Sequence, residues 1–99
     1  MFGKQKRKNE LDPPPISANS DAVELLRVWA APGNPQELSL QTATADPGAW
    51  GLLLVDIARH AAEAYSHQGA DVEETLARIK ELFDAEWESP TDNPKELES

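Results

Sequence analysis

The chain has 99 residues, 39% of them hydrophobic and 27% charged, which is the composition of one small globular domain with a modest core. Eighteen acidic side chains against nine basic ones give a formal net charge of -9, and this excludes a general nucleic-acid coat because phosphate neutralisation needs clustered Lys and Arg. The absence of cysteine excludes disulfides, thiolate metal sites and thiol nucleophiles. No apolar run approaches the roughly 20 residues that span a bilayer, so the sequence predicts neither nucleic acid nor membrane as a partner.

Residues 1–20 are predicted to form a flexible basic and proline-rich arm. Four of the nine basic residues lie near its start (Lys4, Lys6, Arg7 and Lys8). Three consecutive prolines, Pro13 to Pro15, predict an extended polyproline II segment, and no apolar stretch typical of a signal peptide follows the basic residues. The arm is either a solubilising tail or a segment that contacts the acidic body of its own chain or of a partner, because the chain from residue 10 onward has five basic and eighteen acidic side chains. Residues 90–99 are predicted to form a flexible acidic tail.

A β-hairpin is predicted after the arm. Residues 24–31 fit the two-residue period of a strand and include the β-forming side chains Val28 and Trp29. The sequence Pro-Gly-Asn-Pro at residues 32–35 strongly favours a turn and ends this run. A helix is the alternative for this run, since a sequence that resembles a helix cap precedes it. Residues 36–42 alternate polar and apolar with a period of two, which is typical of a half-buried strand with Leu38 and Leu40 facing inward. The four-residue turn joins the two runs into an antiparallel hairpin.

A first helix is predicted from Asp46 to about His67. The Asp46 carboxylate can accept hydrogen bonds from the free amides of the first turn, and the proline that follows lacks the amide that would otherwise have no partner. Gly69 is predicted to end the helix in a left-handed conformation. Six side chains form one apolar stripe at helical spacing (Trp50, Leu53, Leu54, Ile57, Ala61 and Tyr65). Leu52 and Val55 point away from this stripe, so two faces of the helix are predicted to lie against protein.

A second helix is predicted to begin at Asp71 and to end before Pro90. Asp71 and Glu74 have the spacing of a capping box. Five apolar side chains are predicted to form its buried face (Val72, Leu76, Ile79, Phe83 and Trp87). Two weak ion pairs are expected on its solvent side (Glu74–Arg78 and Lys80–Asp84). The predicted fold class is therefore α+β, with an antiparallel β-hairpin followed by two helices (ββαα) in one domain over residues 21–89.

Dimerisation is predicted to complete this fold. A lone hairpin leaves both strand edges exposed and seldom stands in water without further strands or helices. Two copies can pair their hairpins into a four-stranded sheet, or pack the apolar first helix across a two-fold axis. The predicted partner is a second copy of the chain, and the interface candidates are four large apolar side chains (Trp29, Trp50, Leu52 and Val55).

One group of polar residues is a candidate for chemistry. Asp56, His60, Glu63 and His67 are spaced i, i+4, i+7 and i+11, which places them within about 40° of one line along a helix. Two imidazoles and two carboxylates on one face could bind a divalent metal or a small ligand, or transfer protons. The structural alternative is a solvated face on which His67 favours the helix dipole and Arg59 pairs with acids. The sequence therefore assigns no catalytic residue, cofactor or metal, and these four residues remain candidates.

The run Trp-Gly-Leu-Leu-Leu-Val-Asp-Ile-Ala-Arg-His at residues 50–60 resembles a family of small bacterial proteins known as a domain of unknown function. Residues 26–33 and 83–87 are similar to the same family, and the resemblance covers roughly residues 10–94. It implies a cytoplasmic bacterial protein and carries over no activity.

Two functions are open from the sequence. The first is a small non-enzymatic interaction or structural module that self-associates through the hairpin or the first helix. The alternative is a protein that binds a small ligand or a divalent metal on the face of Asp56, His60, Glu63 and His67. The first is favoured, because the chain contains neither a nucleophile elbow nor a glycine-rich phosphate loop.

Overall fold

The computed structural model describes residues 6–91, and the chain divides into two compact units, Met1–Ala45 and Asp46–Ser99. The first unit contains an antiparallel β-hairpin, and the second contains two α-helices. The predicted α+β class and ββαα order are therefore confirmed. Parts of the predicted arm and tail, residues 1–5 and 92–99, lie outside the described residues.

The hairpin consists of β1 (Leu26–Ala31) and β2 (Asn34–Leu40), so the helical alternative for this segment is wrong. Pro32 and Gly33 alone form the turn, because Asn34 already pairs with Ala31. Gly33 has φ +80°, and a proline followed by a glycine of positive φ is typical of a type II turn. The turn is thus two residues shorter than predicted.

The side chains of the hairpin separate into one apolar and one mixed face. Leu26 lies opposite Leu40 and Val28 opposite Leu38, and these four residues share a face because alternate residues of a strand point the same way. β2 is exposed over its whole length, with Leu38 at 53% and Leu40 at 47%. The predicted half-burial of β2 is therefore wrong, since a two-stranded sheet gives each β2 side chain a neighbouring strand on one side only.

The described part of the arm has local structure. Pro14 has φ -67° and ψ 158°, which is the polyproline II conformation that the prolines predict. A short 3-10 helix follows at Pro15–Ala18, so the extended run ends one proline earlier than expected. The proline at its first position is tolerated there because its missing amide would have no partner in the first turn.

The helices are α1 (Gly48–Ser66) and α2 (Val72–Glu88). The predicted caps are present: Asp46 Oδ1 accepts from the Gly48 N–H at 2.9 Å, and Asp71 Oδ2 accepts from the Glu74 N–H at 2.9 Å. The return bond of the capping box, from the Asp71 N–H to the Glu74 carboxylate, is absent among the bonds of the described residues. Gly69 has φ +100°, which is the left-handed conformation predicted after the first helix.

Burial in the helical unit is greatest near the connection between α1 and α2. Ala62 on α1 is fully buried, and Val72, Leu76 and Ile79 at the start of α2 are half-buried. Phe83 and Trp87 are exposed and stack on each other with ring centroids 5.5 Å apart. Their predicted burial is therefore wrong, because helical periodicity identifies the apolar stripe but not how far along it the neighbouring helix is in contact.

The solvent side of α2 carries two ion pairs. Lys80 Nζ lies 2.6 Å from Asp84 Oδ2, as predicted, whereas Arg78 pairs at 2.8 Å with Glu81 and not with Glu74. Carboxylates three and four residues away are both within reach of a helical arginine, so the sequence spacing does not choose between them. Across residues 6–91, no helix combines the length and apolar character that crossing a membrane requires.

Candidate functional site

The candidate polar face lies on α1, and all four of its residues are exposed. His60 Nδ1 lies 2.8 Å from the main-chain oxygen of Asp56. A carbonyl oxygen can only accept, so Nδ1 is the donor in this contact. His67 is the C-terminal cap of α1, where its own N–H donates to the Glu63 and Ala64 carbonyls at 3.3 and 3.2 Å. The contacts of this face are thus contacts with the helix backbone.

The side chains of this face do not converge. Within residues 6–91, no three His, Cys, Asp or Glu side chains lie together as a group that could hold a metal ion. One helix face presents its side chains side by side along a line, and a complete metal site needs ligands that approach one point from several directions.

A different charged arrangement is present in the first unit, around Arg27 on β1. Its Nη1 donates to Glu10 Oε2 at 2.6 Å, and its Nη2 donates to Glu24 Oε1 and Oε2 at 3.2 and 3.1 Å. Glu10 Oε1 also accepts from the Arg7 N–H at 2.9 Å. One guanidinium therefore joins the arm to β1 and to the segment that precedes β1.

These bonds shift the pKa values of both partners. The pKa of Glu10 lies below its ordinary value, chiefly because the Arg7 amide and then the Arg27 guanidinium donate to its carboxylate. The pKa of Arg27 is raised, mainly by the hydrogen bond to Glu24 and then by the one to Glu10. Both groups are therefore charged at neutral pH, and the pair is an ion pair.

A cleft of about 960 Å³ lies between the arm and β1. Its walls are residues 6, 7 and 9–14 of the arm on one side and Glu24 with residues 26–30 on the other. Trp29 and Val28 contribute apolar surface to it, and Arg27 contributes charge that Glu10 and Glu24 already neutralise. No residue of β2 lines this cleft, so it marks the outer side of β1.

Sequence reasoning missed Glu10. One of the interpretations of the arm was that its basic residues contact an acidic body, whereas the ion pair that joins the arm to β1 is made by Glu10. Lys6 pairs within the arm instead, with Asp12 at 2.7 Å. The only signal in the sequence is that Glu10 is the first acidic residue after the basic cluster, and this does not identify a partner seventeen residues away.

The interface candidates from the sequence are accessible to different degrees. Leu52 is 77% exposed and Val55 54%, both on α1. Trp29 lies on β1 at the limit between half-buried and exposed, and Trp50 in the first turn of α1 is half-buried. Leu52 and Val55 thus present apolar surface that their own unit leaves uncovered.

Comparison with known proteins identifies the class of protein. The chain belongs to the family described as Domain of unknown function (DUF5076), whose model matches residues 10–91, which confirms the family resemblance of the sequence. It is also similar to a solved structure from the photosynthetic bacterium Rhodopseudomonas palustrus CGA009, provisionally described as a pyruvate dehydrogenase, with 38% sequence identity and a TM-score of 0.72. That similarity covers 100% of this chain and 99% of the other. A comparison with the curated proteins finds no match.

Proposed function

We propose that this chain is a small non-enzymatic interaction module that associates with a second copy of itself. The observation that supports this most directly is the distribution of apolar side chains. Ala62 is the one fully buried hydrophobic residue among residues 6–91, whereas large apolar side chains are exposed in both units (Val28, Leu38, Leu40, Leu52, Val55 and Trp87 among them). Burial of such side chains is the main favourable contribution to folding and association.

A second copy is the partner that this distribution favours. Each unit exposes its own apolar surface, and a symmetric dimer covers the same patch on both copies with a single kind of contact. The edges of the hairpin also carry backbone N–H and C=O groups that have no partner strand, and a strand of a second copy can form hydrogen bonds with them. The proposal therefore explains the exposed leucines and the two-stranded sheet together.

We also propose that the protein is bacterial and cytoplasmic. The chain has no cysteine, so its fold needs no disulfide and is compatible with a reducing compartment. The 38% identical structure comes from a bacterium, which supports a bacterial origin.

The pyruvate dehydrogenase description of that structure is not part of the proposal. A 2-oxo acid such as pyruvate carries a carboxylate, for which an arginine is the usual protein ligand. Arg27, the arginine that lines the described cleft together with Arg7, is already bound by two carboxylates of its own chain. Pyruvate would have to displace them, so this cleft gives no support to a role in its chemistry.

The experiment is the solution mass by light scattering over a range of micromolar concentrations, with and without zinc. The proposal predicts twice the chain mass of 10.9 kDa, with no dependence on zinc. A monomeric mass for the unaltered chain throughout this range would contradict the proposal.

A further inference from the structure

The backbone hydrogen bonds of the hairpin show which groups of β2 point away from β1. The Gln41 N–H donates to the Leu25 carbonyl at 3.1 Å, so these two residues form a hydrogen-bonded pair. Hydrogen-bonded and non-hydrogen-bonded pairs alternate along an antiparallel ladder. In the register of this hairpin, Ser39 therefore bonds to β1, whereas the N–H and C=O groups of Leu38 and Leu40 point to the outer edge of β2.

Neither edge of the hairpin forms backbone hydrogen bonds beyond the hairpin within residues 6–91, but the edge of β1 has the arm beside it. Residues 6–14 lie along the outer side of β1, where they share a cleft with it and are tied to it by the ion pair of Glu10 and Arg27. No backbone hydrogen bond joins Leu38 or Leu40 to a group beyond the hairpin, within the part of the chain that the structure describes. The edge of β2 is therefore a row of four unpaired backbone groups, which is a template for another strand.

Charge favours the hairpin over the helices as the surface between two copies. Residues 6–45 contain four basic and five acidic side chains, whereas residues 46–91 contain three basic and ten acidic ones. Two copies that meet through their helical units would bring like charges together, which costs free energy at ordinary ionic strength. Two hairpins are close to neutral, so a partner of the same sequence meets little repulsion there.

We infer that β2 pairs with β2 of a second copy in an antiparallel ladder whose two-fold axis passes beside Ser39. This inference rests on the proposed self-association and specifies its surface. In this register Leu38 lies opposite Leu40 of the second copy, so all outward-facing groups of both residues form hydrogen bonds. Glu37 then lies opposite Gln41 of the second copy, where an amide faces a carboxylate.

The neighbouring registers are less favourable. An axis beside Glu37 would place two carboxylates directly opposite each other, which destabilises a strand pair. An axis beside Leu40 would place Leu38 opposite Thr42 of the second copy, and Thr42 lies outside β2. An axis beside Leu38 would require Gln36, which lies next to the irregularity in the ladder between Trp29 and Ala31 and beside Pro35. The axis beside Ser39 avoids all three problems.

The result is a four-stranded sheet in the order β1, β2, β2, β1. Its apolar face contains Leu26, Val28, Leu38 and Leu40 from each copy, and its other face contains Ser39 at the axis. Four strands exceed the minimum of three that an independently stable sheet usually needs.

Single-cysteine variants test this register, because the natural chain has no cysteine. Ser39 and its copy would form a non-hydrogen-bonded pair with Cα atoms about 4.5 Å apart, which is within the range of about 4.4–6.8 Å for a disulfide. Ser39→Cys should therefore form a covalent dimer under mild oxidation at least about tenfold faster than Ser17→Cys, because the dimer holds its thiols at high effective concentration. Glu37→Cys is the control in the same strand, since Glu37 and its copy would be about 14 Å apart, but it should cross-link when mixed with Gln41→Cys.

The outcomes separate this inference from the proposed function. A dimeric mass combined with rapid cross-linking of Ser39→Cys supports both. A dimeric mass without faster cross-linking of Ser39→Cys than of Ser17→Cys, or with cross-linking of Glu37→Cys alone, overturns the strand pairing and leaves self-association standing. A monomeric mass overturns both, and leaves the edge of β2 to a strand from another protein or to water.

Discussion

The Arg27 guanidinium on β1 donates to the Glu10 carboxylate across 2.6 Å, although the two residues are seventeen positions apart in the chain. Glu10 is the more buried partner, with about a fifth of its side chain exposed. Because Glu10 also accepts from the Arg7 amide, the same carboxylate holds the arm in its local turn and against the strand.

Glu10→Gln should loosen the arm. The variant removes the negative charge that Arg27 binds, so we expect trypsin to cut after Arg7 and Lys8 about two- to fivefold faster. The change is modest because solvent still reaches the Arg27 side chain and weakens the ion pair. The measurement is limited proteolysis followed by mass spectrometry, corrected with a short peptide that carries the same substitution. Glu24→Gln is the matched control, since Glu24 also binds Arg27 but lies outside the arm; equal rates for the two variants would contradict this role of Glu10.

Acid should release the arm in the same way. The pKa of Glu10 is lowered in the folded chain, so the ionised carboxylate stabilises the attached arm above its ordinary pKa of about 4.3. This contribution is lost as the pH falls below that value through the lowered pKa. The measurement is the amide protection factor of residues 6–10 by NMR between neutral pH and pH about 3. Protection that falls equally in Glu10→Gln would show that another group titrates.

Ala62→Leu should destabilise the helical unit. Ala62 on α1 is fully buried. A larger side chain at this position forces its neighbours to move, which lowers the free energy of unfolding by about 1–3 kcal/mol. The free energy of unfolding in urea measures this cost. Ala64→Leu, an exposed position two residues along the same helix, should change it by no more than about 0.5 kcal/mol. A similar loss in both variants would mean that the effect is not one of packing.

Asp71→Ala should shorten or weaken α2 at its start. The Asp71 carboxylate accepts from the Glu74 N–H at 2.9 Å, and loss of such a cap costs about 1 kcal/mol of unfolding free energy. Asp71→Asn keeps an oxygen acceptor and should retain most of the stability. If asparagine is as destabilising as alanine, the charge of Asp71 and not its hydrogen bond is responsible.

His60→Ala tests the polar face of α1. His60 is exposed and contacts the Asp56 main chain through Nδ1, so we expect the variant to change stability by less than about 1 kcal/mol. The melting temperature of the natural chain should be the same with zinc as with a chelator. A zinc-dependent rise in melting temperature that His60→Ala abolishes would instead support the metal hypothesis for this face.

Local chemistry allowed the order of elements to be predicted, and non-local contacts explain the errors. Pro32 with Gly33, the carboxylates of Asp46 and Asp71, and Gly69 each act on their immediate neighbours, so the turn and the helix ends follow from the sequence. Their boundaries differ from the predicted ones by only a few residues.

The extent of burial and the long-range ion pair could not be predicted in this way. The exposure of Leu38 and Phe83 depends on how many neighbours surround a strand or a helix stripe, and hydrophobic periodicity contains no such information. Glu10 meets Arg27 only because the arm turns back along β1. The spacing of the polar residues on α1 was evident from the sequence. Metal binding by this face depends, however, on ligands from a second element, which the spacing does not predict.

The three tryptophans are divided between the units in a way that has an experimental use. Trp29 lies on β1, and Trp50 and Trp87 lie on α1 and α2. Replacement of the two helical tryptophans by phenylalanine would leave the hairpin with the sole indole, and replacement of Trp29 would leave fluorescence to the helices. If the two emission signals change at different urea concentrations, the halves of this chain lose their structure independently, and coincident transitions would show that they melt as one cooperative body.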